Sequence, residues 1–168
     1  MILAILLQTA AATSAASGWE LSDRTNAAGV HSVSASVTGS DTLSRFVVKC
    51  DIASEPIVSI QFLQPSPIGQ SGDKPVWVRF NGGPAFTYNW QFPGTGTYIT
   101  DPGAITTLTS FLVKAKTVGV ATTNASNFAV QASFAAPGGD KMIKQVLTAC
   151  GYTLGVVPGP AAPAKEAP

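Results

Sequence analysis

The sequence predicts an α+β domain with a mainly antiparallel sheet of about seven strands, two helices and one disulfide, and three observations lead there. Apolar residues alternate with polar ones over seven separate segments, the period-two signature of strands with one buried face. Glycine- and proline-bearing turns separate most of these segments, so hairpins outnumber strand–helix–strand units. Only two stretches carry apolar residues at helical spacing, one beginning at Asp101 and one near Asp140.

Residues 30–38 place Val33, Ala35 and Val37 on one side and serines on the other. Residues 45–51 set Phe46, Val48 and Cys50 against Val47, Lys49 and Asp51; residues 57–63 set Val58, Ile60 and Phe62 against Ser59 and Gln61. Residues 75–80 and 85–92 flank Asn81-Gly82-Gly83-Pro84, whose Asn and Gly adopt positive φ at little cost, which is a hairpin signal. Trp77 and Arg79 share one face of that hairpin's first arm, and Val76, Val78 and Phe80 share the other. Asp101-Pro102 reads as an N-cap followed by proline at the first helical position, opening a helix that carries Leu108, Phe111, Leu112 and Ala115 to an end near Lys116. A short strand at 118–121 follows, then residues 127–135, whose alternation buries Phe128, Val130, Ala132 and Phe134. The last helix starts after Gly138-Gly139 with Asp140 as its cap. It presents Met142, Ile143, Val146, Leu147 and Cys150 on one stripe, and Gly151 stops it as a left-handed residue.

At 168 residues the chain fits a single domain able to bury a substantial core. Three segments divide it: a leader over 1–18, a folded domain over 19–152 and a Pro/Ala-rich disordered tail over 153–168. In the leader, ILAILL precedes a run of Ala, Ser and Thr, matching the apolar core and small-residue cleavage region of a secretory signal, although no Lys or Arg stands ahead of it. A short buried N-terminal helix or strand is the competing reading. The apolar run is too short to span a bilayer, which needs about 20 residues. A leader places the mature chain in the periplasm or outside the cell.

Cys50 lies on the inward face of its strand and Cys150 on the inward stripe of the final helix. If both faces meet one core, a disulfide ties helix to sheet; two unrelated buried thiols in a cytosolic protein are the alternative.

Charged residues are only 11% of the chain and the net charge is +1, which leaves no electrostatic footprint for nucleic acid or an anionic membrane. His31 is the single histidine, so zinc would lack its usual second imidazole, and no G-x-S-x-G elbow accompanies it for a catalytic triad. It reads as a surface residue. No spacing of carboxylates nominates an acid–base pair, and Asn81-Gly82-Gly83 lacks the Lys and helix of a phosphate loop. Asn124-Ala125-Ser126 has the form of a glycosylation sequon. The sequence therefore nominates no catalytic residue, metal or cofactor. What it does offer is Trp77, Arg79, Tyr88 and Trp90 on the two arms of one hairpin, residue types that carry interfaces. The bland reading of that set is that Trp90 is buried and Arg79 stacks over an aromatic ring.

Several landmarks come in a recognisable order: a Trp after the leader, FVVKC at 46–50, the V-x-V-R-F-N-G-G-P hairpin followed by Trp90, a helix, FAVQASF at 128–134 and VLTACGY at 146–152. This pattern resembles the type VI secretion-associated periplasmic proteins of the VasI-like group. The resemblance implies a bacterial envelope protein, a Cys50–Cys150 bridge, and an accessory or binding role toward an envelope or secretion-system protein. An inhibitor or ligand-binding module acting on a cell-wall enzyme or glycan is the second reading, and a hydrolase with an unusual site the third.

Overall fold

The computed structural model describes residues 18–159. Residues 1–17, which hold nearly all of the expected leader, and 160–168, the end of the expected tail, lie outside the described residues. The fold is α+β as predicted. One antiparallel sheet runs through β1 (Glu20–Thr25), β2 (His31–Thr38), β3 (Arg45–Ile52), β4 (Pro56–Leu63), β5 (Asp73–Phe80), β6 (Ala85–Gln91), β7 (Gly96–Ile99), β8 (Thr117–Thr123) and β9 (Ala129–Ala135), with α1 (Pro102–Leu112) and α2 (Asp140–Ala149).

Their order across the sheet is β1-β2-β3-β4-β7-β6-β5-β8-β9. Two meanders thus meet at β4 and β7, where Ile60 opposes Ile99. α1 carries the chain from β7 to β8, on the free side of β5. The ninth strand then comes round to the end of β2: Gly39 bridges Phe134, and the Ser40 amide donates to the Ser133 carbonyl at 2.9 Å. Both helices pack on one face of the sheet. Val33, Ala35, Val37, Phe46, Val48, Val58, Ile60 and Phe62 from the strands are buried there with Ile105, Leu108, Ile143, Val146 and Leu147 from the helices. Phe134 closes this core, its ring centroid 5.7 Å from Phe46 and 6.2 Å from Phe62.

The predicted disulfide is present: Cys50 and Cys150 are bonded with their Cα atoms 5.7 Å apart, and both are buried. Asp101 caps α1, its carboxylate accepting from the Ala104 amide at 2.8 Å. Gly151 ends α2 at φ 73°, with the Tyr152 amide donating to Leu147 and the Gly151 amide to Thr148, a Schellman motif. The Asn81-Gly82 turn has φ of 53° and 70°, and the Gly83 amide closes it on the Phe80 carbonyl.

Four expectations are corrected. The sheet has nine strands rather than about seven, the additions being β1 and β7. β1 is a polar edge strand with Leu21 as its one large apolar residue, held by main-chain pairing to β2 rather than by a buried face. β7 is four residues inside a Gly/Thr-rich segment, too short for alternation to register. α1 stops at Leu112, not near Lys116, because the Lys114 and Ala115 amides turn back to Phe111 and Leu112; Ala115 stays buried on that turn, so the apolar spacing outlasts the helix. At α2 the cap residue is Gly139, while Asp140 is the first helical residue and lies 3.6 Å from Lys144 one turn on. Phe128 is 71% exposed instead of buried, since it precedes β9 and belongs to the turn organised by Asn124. The expected border between domain and tail falls at Tyr152; the described chain continues past it beside α1, with Leu154 packed on the core and the Val156 carbonyl 3.4 Å from Thr106 Oγ1.

Candidate functional site

The register separates the four residues nominated on the hairpin. Trp77 opposes Thr87 and Arg79 opposes Ala85, whereas Val76 opposes Tyr88 and Lys74 opposes Trp90. Side chains directly opposite share a face, so Trp77 and Arg79 point away from the helices while Tyr88 and Trp90 point toward them. Trp90 is fully buried and its Nε1 finds no hydrogen-bond partner among the described residues; Tyr88 packs against the same core. The four side chains therefore form no common surface. Arg79 donates to the Gly83 carbonyl of its own turn at 3.3 Å.

Trp77 and Arg79 line a trough of about 430 Å³ on the helix-free face. Its shape follows from side-chain size across three strands. Trp77 on β5 faces Ala121 on β8, which faces Gln131 on β9; Arg79 faces Gly119, which faces Ser133. The middle strand contributes almost no side-chain height and both flanking strands do, so β8 is a floor between two walls. Ser40 and Asp41, from the β2–β3 turn, close one side. A second section of about 450 Å³ shares Ser40, Arg79, Gly119 and Ser133 and continues past Thr117. From Thr117 to Ala121 the floor is about 13 Å long at 3.3 Å per residue.

Asp41 is the trough's carboxylate, and it is committed to its own turn. Oδ1 accepts from the Leu43 and Ser44 amides at 3.0 and 2.8 Å, and Oδ2 accepts from Ser44 Oγ. The Ser44 hydroxyl bond, ahead of an opposing desolvation and with help from the amides, holds Asp41 below the ordinary carboxylate range. That direction suits a permanent anion and is opposite to what a general acid requires. Arg79 makes no ion pair among the described residues.

The opposite side of the hairpin tip carries a feature that periodicity did not reveal. Phe111 stacks on Phe80 at 5.9 Å, contacts Phe86 at 4.7 Å, and remains 48% exposed. It sat on the expected buried stripe of α1, but the helix ends one residue later and leaves the ring half in solvent.

His31 opens β2, with its Nε2 2.5 Å from Asp23 Oδ1 on β1, both side chains exposed. Among the described residues no three His, Cys, Asp or Glu side chains gather as a metal site, and no helix is long and apolar enough to cross a membrane. Asn124 of the sequon uses its side-chain oxygen on the Ser126 and Phe128 amides, a turn-forming role. Compared with protein-family models, curated proteins and solved structures, the chain matches none.

Proposed function

We propose that this chain is an exported, non-catalytic accessory factor of a bacterial cell envelope that binds another envelope or secretion-system protein, type VI secretion being the system its landmarks resemble. One observation carries the compartment: the only two cysteines are joined across 100 residues inside the core, an arrangement that persists where thiols are oxidised and is rare in reducing cytosol. The protein contact is supported by Phe111, an exposed ring backed by two others, since desolvated aromatics anchor interfaces. A photo-crosslinking residue placed at Phe111 in the producing cell tests it. The expected result is a covalent adduct with one envelope or secretion-system polypeptide, absent when the probe sits at Ile57 on the opposite face. No adduct at Phe111, or both cysteines alkylated in the native protein without reductant, overturns the proposal.

The trough supports a second reading, a ligand-binding module directed at a cell-wall glycan. Its lining sets an aromatic ring beside a guanidinium, an amide and hydroxyls, groups that together can hold a polar small ligand in a concave site.

A further inference from the structure

We infer that the trough over β8 is a binding site for a carboxylate-bearing saccharide, with Trp77 as the stacking platform and Arg79 as the carboxylate partner. This rests on the ligand-binding reading and is independent of export and of any protein partner.

The floor excludes peptide capture by strand addition. An extended peptide is held by main-chain bonds to a free strand edge. β8 has none over the trough, because β5 occupies one edge and β9 the other. Anything lying on Gly119 and Ala121 must be held by side chains from the walls. Those walls offer the half-buried indole of Trp77, the amide of Gln131, the hydroxyls of Ser40 and Ser133, and the guanidinium of Arg79. A flat aromatic next to several directional hydrogen-bonding groups suits a pyranose, which has an apolar C–H face and hydroxyls around its rim.

Charge then narrows the class. Arg79 is exposed, unpaired among the described residues, and lines both sections of the trough. Asp41, the one acid nearby, has both oxygens engaged by Leu43 and Ser44. Asp41 keeps its charge but lines only the first section, so an anion is wanted at Arg79, toward the section that runs past Thr117, and there a planar guanidinium can take a carboxylate through two parallel bonds. A floor of about 13 Å accommodates more than one ring in line, so the ligand is a linear acidic glycan rather than a free monosaccharide.

Gly119 supplies a way to plug the site without breaking the fold. A Cβ there meets only Arg79 Cβ at 3.9 Å, ordinary contact distance, and its φ is not in the left-handed region. Gly119→Val should fold, since β-branched residues suit strands, yet stand up from the floor.

The experiment is calorimetric titration of the purified, oxidised chain with tetragalacturonate, with cellotetraose as a neutral saccharide and acetyl-Ala-Ala-Ala as a carboxylate on a peptide. Tetragalacturonate is expected to bind, Arg79→Gln to weaken it at least tenfold, Trp77→Ala to weaken it similarly, and Gly119→Val to abolish it, with circular dichroism and thermal melting confirming each variant folded. An unfolded Trp77→Ala is replaced by Trp77→Leu, which keeps bulk and removes the ring. Equal affinity for cellotetraose overturns the role of Arg79. Binding of the peptide alone, no binding at all, or tetragalacturonate affinity unchanged by Gly119→Val overturns the site. Failure here leaves the Phe111 crosslink untouched, so the two proposals fail separately.

Discussion

Single residues decide how this fold closes at its seams. Gly139 lies against Trp19, whose Nε1 donates to the Ala136 carbonyl at 3.0 Å in a buried bond. A Cβ at position 139 would sit 2.5 Å from that nitrogen and 2.7 Å from the ring. The indole is rigid and already bonded, so it has nowhere to go. Gly139→Ala should destabilise by about 1–3 kcal/mol, the usual cost of overpacking a filled site. Urea denaturation followed by tryptophan fluorescence measures it, and combining the change with Trp19→Phe, which makes room, should recover part of the loss. Asp41 gives a second prediction, this one in pH. Its folded value lies below the unfolded one because the charged form is bonded to Ser44 and the turn amides. The unfolded carboxylate titrates near about 3.9, so this stabilisation is fully present above that pH and is lost as pH falls through the lower folded value. The gap in urea midpoint between the natural chain and Asp41→Asn should be open at pH 6 and narrow progressively as pH falls below the unfolded value. Ser44→Ala should move the Asp41 carboxyl titration, followed by NMR, upward toward the ordinary range.

At the level of elements, local chemistry sets the start of α1 more sharply than its end. Asp101 is the cap of α1 because its carboxylate reaches the Ala104 amide while Pro102 needs no partner for its missing N–H. Asp101→Ala should cost about 1 kcal/mol, and Asp101→Asn much less, since the amide oxygen still accepts; thermal unfolding of the two variants separates them. Neutralising Asp101 should also relieve Tyr152, whose phenol titrates above its ordinary value through burial first and the nearby Asp101 carboxylate second. The same contrast governs what was legible in the chain. Alternation located β2, β3, β4 and the inner face of β5 because Val33, Cys50, Ile60 and Val78 lie on the apolar, buried face while mainly polar residues hold the other. It could not locate β1, whose pairing is main-chain only, nor β7, which is shorter than two periods. Phe128 shows the converse: it fits the alternation of β9 but precedes the first paired residue and remains in solvent. The site was half legible. Trp77 and Arg79 were found by type and shared face, but Tyr88 and Trp90 were grouped with them because register across a turn is not written in either arm alone. Gly119 and Ala121, which give the trough its depth, were invisible for want of side chains, and β8 becomes neighbour to β5 only through the α1 crossover.

Over the whole molecule, the question is what keeps the last helix on the sheet. α2 is ten residues long, is the last regular element among the described residues, and packs chiefly on β2 and β3 rather than on its neighbour in sequence, β9. Nothing local orders it there; its apolar stripe of Ile143, Val146 and Leu147 must find strands formed about a hundred residues earlier. The Cys50–Cys150 bond removes that search from the unfolded chain. In the loop-entropy account a closed loop of this length stabilises by about 4.7 kcal/mol, and natural bridges of small domains contribute about 2–5 kcal/mol. Both sulfurs are buried and apolar, so replacing them with alanine leaves no unmet polar group, although it opens a small void that adds to the loss. The double substitution Cys50→Ala/Cys150→Ala should therefore keep the native circular dichroism while losing about 3–5 kcal/mol. For a domain near this size the melting temperature should drop by roughly 10 °C or more. Its denaturant slope should also steepen, because the uncrosslinked unfolded state exposes more surface. If the loss instead appeared as selective release of α2, with the sheet's unfolding midpoint unmoved, the bond would be a clasp for one helix rather than a constraint on the whole chain. Hydrogen exchange on the α2 amides, read against those of β3 in the same variant, distinguishes the two: matched protection means one cooperative unit, and early exchange confined to 140–149 means a clasp.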